Sequence, residues 1–486
     1  MRLLIIGLDC AAPEILLQDE RLTNIRGLMQ AGSYGRLESV IPPITVPAWM
    51  CMSTSQDPGS LGVYGFRNRS DHSYEGLRIA NAKSIQELAM WDQVAREGGR
   101  AVIIGVPPSY PPRKINGICV GCFLTPDPVA DEYTHPASIK REIADLVGEY
   151  EVDVKGFRTD RKEWLRGEIF RMSRKLFQVV RHYVARDDWQ YFHFVDIGLD
   201  RVHHGFWRYH DPEHVLHEPG SPFQDVIRDY YLHLDQEIGR VLELLTDDTV
   251  VLVVSDHGAR RLDGGFCVNE WLVREGLLVL HEQPRTVTAF DKLSVDWSRT
   301  RVWSEGGYYA RVFFNVKGRE PQGVIEPADY ERFRDEMKAR LEATVDDQGR
   351  PLGTLVFKPE EIYHTVRNVA PDLITHFGAL AWRSIGGVGY GRIHVQENDT
   401  GPDDCNHAQH GAFILASSNS PLQGELAGAR LIDIAPTMLE LGSFDVPSTM
   451  QGRSLVAGLS RQAPPPVSAE GEAIIKDRLA GLGYIS

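Results

Sequence analysis

The chain has 486 residues, 42% hydrophobic and 24% charged, which is enough apolar material for a large packed core and argues against disorder. Its 52 Lys and Arg against 67 Asp and Glu leave a formal charge of −15, excluding a basic surface that wraps nucleic acid. No apolar run approaches the ~20 residues of a membrane span, and six scattered cysteines give no disulfide framework, so a protein of the reducing cytoplasm is expected.

In chain order, residues 3–8 form an apolar run too short for a signal peptide; it reads as a buried parallel strand ending at Asp9. Thr45 follows a rigid Pro42-Pro43 segment and opens an apolar helical run, with Pro47 tolerated in the first turn. A helix is predicted over 85–97 and a strand over 101–106. Cys119 and Cys122 have CxxC spacing without a second pair and read as buried strand thiols. A long amphipathic helix is predicted over 162–185, then strands over 191–195 and 250–254 that run into Asp196 and into Ser255-Asp256-His257. From 265 to 355 the strand–helix rhythm fails, although a Trp271 helix and a charged helix over 329–343 stand out; this segment is expected to be an inserted cap. The run Gly386-Gly387-Val388-Gly389-Tyr390-Gly391 misses the dinucleotide spacing and reads as a flexible loop. A returning strand over 412–416, a helix over 431–441, a Pro464-Pro465-Pro466 linker and a short helix over 471–482 complete the chain. The alternation predicts an α/β core of residues 1–264 and 356–458 around a mostly parallel sheet, with a linker and C-terminal helix over 459–486. Active residues of such sheets gather beyond the strand carboxyl ends.

Metal-type side chains cluster where that rule expects them. Asp9 ends the first strand, Asp256-His257 follows another, and Asn406-His407 precedes a third. Asp200 and His204 stand at i and i+4 on one helix face, although His203 competes with His204 and His410 with His407. Carboxylate and imidazole ligands with few thiolates suit two divalent ions, zinc first and manganese second. Thr45 reads either as a helix N-cap or as a nucleophile whose developing charge the helix N-terminus favours. Trp207, Tyr209 and Trp271 could stack a base but fit core packing better.

These pieces carry a resemblance. Gly7-Leu8-Asp9, Pro43 to Trp49, Pro58 to Phe66, Asp200 to Trp207, Ser255 to Gly258, His407 to Gly411 and Asp433 to Thr437 together resemble the type I phosphodiesterase/nucleotide pyrophosphatase branch of the alkaline phosphatase superfamily. The resemblance implies a three-layer αβα sandwich and two metals, one held by Asp9, Thr45, Asp256 and His257, the other by Asp200, His204 and His407. It thereby decides against His203 and His410. Two positions depart from the family pattern: Cys10 replaces the usual Gly, and Leu61 a frequent His. Thr45 and Ala48 do not fit the sulfatase signature.

The expected activity is two-metal hydrolysis of small phosphate esters, phosphodiesters or nucleotide pyrophosphates foremost, through a phosphothreonine at Thr45, with Arg67, Asn68 and Arg69 as substrate contacts. The same site could serve a phosphomonoesterase, a phosphomutase, or a phospho- or nucleotidyl-transferase. A metal-binding protein without catalysis is the remote alternative. The negative global charge says nothing against such substrates, because bound cations can reverse the sign of a site.

Overall fold

In the computed structural model, which describes residues 1–396, 398–417 and 422–457, a ten-stranded sheet runs through the centre. Its middle is parallel: Arg2–Leu8 lies between Tyr191–Asp196 and Thr249–Val254, in the registers Leu8↔Asp196 and Gly7↔Val254. Ala101–Ile104 and Gly117–Val120 extend it in parallel on one side. On the other side His410–Ala416 enters antiparallel between Thr249–Val254 and Gly32–Glu38.

The first strand shows why three layers form. Side chains alternate across a strand, so Leu4, Ile6 and Leu8 join a cluster with Leu165, Ile169 and Phe177 from the long helix Lys162–Val184. Leu3 and Ile5 join a cluster on the opposite face with Trp49, Met52, Met90 and Met438. A strand buried on both faces has no polar position to spare, which produces the continuous apolar run. Emptying one such position, as in Ile6→Ala, would cost about 2–5 kcal/mol.

The helix predicted from residue 85 begins later, at Met90. A 3₁₀ turn at Ala82–Ser84, capped by Asn81, precedes it, and Ile85 is buried in extended backbone. A second sheet of four strands, Val302–Glu305, Ala310–Phe314, Leu373–His376 and Leu355–Phe357, packs with the helix Tyr330–Glu342 around its own core. This sheet runs past residue 355, where the expected insertion ends. The linker and helix expected over 459–486 lie outside the described residues. Among the described residues no helix is long and apolar enough to cross a membrane.

Candidate active site

The parallel registers bring Asp9 and Asp256 side by side, because both follow strands that end in step. Asp200 and His204 come from the helix Gly198–His210, which starts directly after Tyr191–Asp196. His407 sits on a short strand of its own, Cys405–Ala408, not merely ahead of the next one. That strand pairs antiparallel with Gly258–Arg261 in the register Ala259↔His407. The pairing lays the His407 ring on His257, with centroids 3.9 Å apart and planes 14° from parallel.

Two triads result. The ligand atoms of Asp9, Asp256 and His257 lie within 4.8 Å of one another, and so do those of Asp200, His204 and His407. Thr45 is the first residue of the helix Thr45–Thr54, and Ile44 occupies the N-cap without a side-chain bond. The hydroxyl is therefore not spent on capping: its Oγ1 lies 3.4 Å from Asp9 Oδ1 and 3.3 Å from His257 Nε2. His203 stands apart, buried with neither ring nitrogen hydrogen-bonded and facing Trp207 and Tyr231, and burial lowers its pKa to about 3. His410 belongs to the strand beside Glu38 and joins neither triad.

Each triad histidine spends Nδ1 on a fixed partner: His204 on Asp403 Oδ1 at 2.6 Å, His407 on the Pro43 carbonyl at 2.9 Å, His257 on the Gly258 carbonyl at 3.2 Å. Such partners set the tautomer and leave Nε2 for a ligand. Trp49 Nε1 donates to Asp9 Oδ2 at 2.7 Å, and Arg201 donates to Asp200. Sequence reading missed these partners. Asp403, four residues before His407, was the readable hint. Tyr308, whose ring stacks on His407 at 4.3 Å, gave none.

The electrostatics of the triads differ. Burial, reinforced by neighbouring carboxylates, holds Asp9 and Asp256 well above the usual carboxylate range. Asp200 moves the other way: burial pushes it up, but His204 and His407 outweigh that and hold it well below. His204 in turn is raised against the effect of burial, chiefly by Asp403. His257 is lowered by burial and by His407. Asp200 Oδ1, His204 Nε2 and Asp256 Oδ2 are buried without a hydrogen-bond partner. Unsatisfied buried polar atoms are uncommon and ask for an explanation. Inward-facing carboxylate oxygens and imidazole nitrogens fit divalent cations.

Cys10 explains its own oddity. Its φ is +66°, the left-handed region that favours glycine. The buried thiol donates toward the Gly258 carbonyl at 3.4 Å. Leu61 is buried among Val46, Met50 and Val63. Cys119 and Cys122 are both buried, and burial raises Cys119 to about 12.

The Arg67–Arg69 trio separates. Asn68 accepts from the Tyr64 amide and donates to the Gly65 carbonyl. Arg69 is buried against Glu320, over the rings of Trp303 and Phe313. Arg67 alone is exposed, 3.8 Å from Glu305. Trp207 and Tyr209 are buried in the main core, and Trp271 packs on the second one.

Comparison with known proteins agrees with this geometry. The family model of type I phosphodiesterase/nucleotide pyrophosphatase matches residues 3–411. No curated protein matches in sequence. Among solved structures, murine ectonucleotide pyrophosphatase/phosphodiesterase 5 is similar with a TM-score of 0.52 at 13% identity, over 92% of this chain and 96% of that one. The same protein as an inactive threonine-to-alanine variant in complex with AMP matches with the same TM-score, identity and coverage. The chain thus belongs to the type I phosphodiesterase/nucleotide pyrophosphatase family, enzymes that hydrolyse phosphate esters.

Proposed function

We propose that the protein hydrolyses phosphodiesters or nucleotide pyrophosphates of small molecules through a covalent phosphothreonine at Thr45. The observation that carries this reading is the Thr45 hydroxyl, uncapped at a helix start and within 3.4 Å of both Asp9 and His257. Asp9, Thr45, Asp256 and His257 would hold one divalent cation and Asp200, His204 and His407 the other, zinc suiting this donor set and manganese being the second choice. Bound there, two such ions supply Lewis-acid charge to the phosphate oxygens and lower the pKa of the groups they hold.

The chain's own residues do the rest. Thr45 Oγ1 loses its proton and attacks phosphorus in line, the ester or anhydride P–O bond breaks, and the alcohol or phosphate leaves, the alcohol taking up a proton. Water then opens the phosphothreonine and returns the hydroxyl. The Thr45 and Val46 amides at the start of the helix have no intrahelical acceptors and favour the charge that builds on the transferred group. Asp403 and the Pro43 carbonyl keep the Nε2 atoms of His204 and His407 turned inward. Trp49 holds one Asp9 oxygen so that the other faces Thr45. The AMP complex of the murine neighbour supports a nucleotide-sized ester, and Arg67, exposed beside Glu305, is the member of the 67–69 trio proposed to meet its phosphate.

The test is an activity screen with metal analysis of the same sample, using bis-p-nitrophenyl phosphate, p-nitrophenyl phosphate and a nucleoside diphosphate sugar. Turnover of the diester or the pyrophosphate with two metals per chain is expected. Turnover of the monoester alone would overturn the substrate class. Product formed only when an acceptor alcohol is added would make the enzyme a transferase.

A further inference from the structure

The second sheet borders a large cavity. Between the hairpin formed by Arg67–Arg69 and Leu77–Ile79, the loop at Phe290 and the glycine run at 386–391 lies a space of about 960 Å³, near the top of the range for small-molecule sites. Its walls are fixed. The glycine run, expected from sequence to be a flexible loop, is pinned: Thr288 and Val388 exchange two backbone hydrogen bonds of 2.8 and 3.0 Å. Glu270 also accepts from the amides of Gly389 and Tyr390. A Cβ on Gly306 would come within 2.5 Å of the Gly386 amide, so the wall closes only with glycine there.

The cavity adjoins the triads by two routes. Gly307 lines it, and the next residue, Tyr308, lays its ring on His407. Arg383 also lines it, sits 4.8 Å over the Tyr308 ring, and donates at 3.3 Å to Asp403, the partner of His204. Arg383 is 7% exposed, and its Nε has no hydrogen-bond partner, with Asp399 standing 3.6 Å away.

We propose that this cavity holds an organic substituent of the phosphate ester, and that the substituent is an uncharged, hydroxyl-rich group, a sugar or similar polyol. The proposal rests on the phosphodiesterase reading of the site. The chemistry of the walls selects the class. Tyr74 and Trp297 stack at 3.7 Å and Phe290 meets Trp297 edge-on, giving one apolar wall. Charges of both signs face the same space: Glu75, Asp291, Glu305 and Asp399 against Arg67, Lys292 and Arg383. A polyanion would meet the carboxylates, and an alkyl chain would strip water from these charges without returning hydrogen bonds. A polyol donates to carboxylates, accepts from the cations and lays its C–H face on the rings.

The test measures binding of α-glucose 1-phosphate and ethyl phosphate to metal-loaded protein by calorimetry, in the wild type and in a Glu75→Gln/Asp291→Asn double variant. Both residues are exposed and the replacements isosteric. The wild type should bind the sugar phosphate at least about tenfold more tightly, and the variant should lose that preference. Ethyl phosphate binding should stay unchanged in the variant. Equal affinities in the wild type, a preference that survives the double substitution, or tighter binding of a nucleoside monophosphate than of the sugar phosphate would overturn the proposal. Trp297→Phe, which trims the stacked wall, should weaken the sugar phosphate selectively; equal weakening of both ligands counts against the pocket. Sugar preference without turnover of any ester would leave the cavity assignment standing and remove the hydrolase reading. Turnover without sugar preference does the reverse.

Discussion

The two triads lie against each other, with His257 stacked on His407, yet they carry charge differently. Asp9 and Asp256 bring two carboxylates to one imidazole, in full burial, and both are held toward the neutral form. Asp200 shares its site with two imidazoles and has Arg201 beside it, and it is held ionised. The Asp200 triad is balanced largely by its own side chains. The Asp9 triad, which also adjoins Thr45, needs a proton or a cation from outside. The Thr45 hydroxyl thus sits beside the triad with the greater demand for positive charge.

The largest expected effect tests that placement. Thr45→Ala should lower turnover by about 10³-fold or more while metal content stays at that of the wild type; retained turnover would remove the nucleophile from the Asp9 triad. Next comes metal removal. If both triads hold ions at free concentrations of about 1,000 times Kd, each bound ion adds about 4 kcal/mol to stability, so thermal unfolding should move down by several degrees after chelation. An unchanged Tm would mean that neither triad binds a cation. A smaller effect separates the triads. Asp403→Asn removes the carboxylate on His204 and should weaken one metal by about 10- to 100-fold while sparing the other, read as stoichiometry during graded dialysis. Loss of both ions together would erase the distinction.

The smallest effect is a titration. In chelated protein, burial penalises the charged form of Asp9 and Asp256, so they should keep protons to a pH above the ordinary carboxylate value of about 4. Asp200, beside His204, should stay ionised below that value. Carboxyl carbon shifts of aspartate-labelled protein would show the order, and a reversed order breaks the comparison.

Most of the catalytic geometry was legible because parallel strands buried on both faces leave an apolar run whose end is unmistakable. Asp9, Asp256 and His257 read from that signal as metal-type side chains at strand ends, and only the family resemblance grouped them at one metal. Asp200 and His204 followed from helical spacing, although spacing left His203 open, and only the family resemblance chose between them. Tyr308 was not legible, and Asp403 hinted at itself only by standing four residues before His407, because its partner His204 lies 199 residues away. The second sheet failed for the same reason. Ala310–Phe314 pairs with Leu373–His376 about sixty residues on, so no local pattern announced where the cap ends.

One topological detail bears on how the enzyme comes into being. Among the described residues Gly32–Glu38, the strand that leads toward Thr45, pairs only with segments at 410–416, 424–425 and 429–430. As the ribosome extends the chain, Asp9, Asp256 and His257 have all emerged by residue 257, yet the strand before the nucleophile still lacks a neighbour. A product halted near residue 400 would lack that strand's partners, although Trp49 of the following helix still reaches Asp9. The strand before Thr45 therefore gains its sheet neighbours only once residues 410–430 have been made.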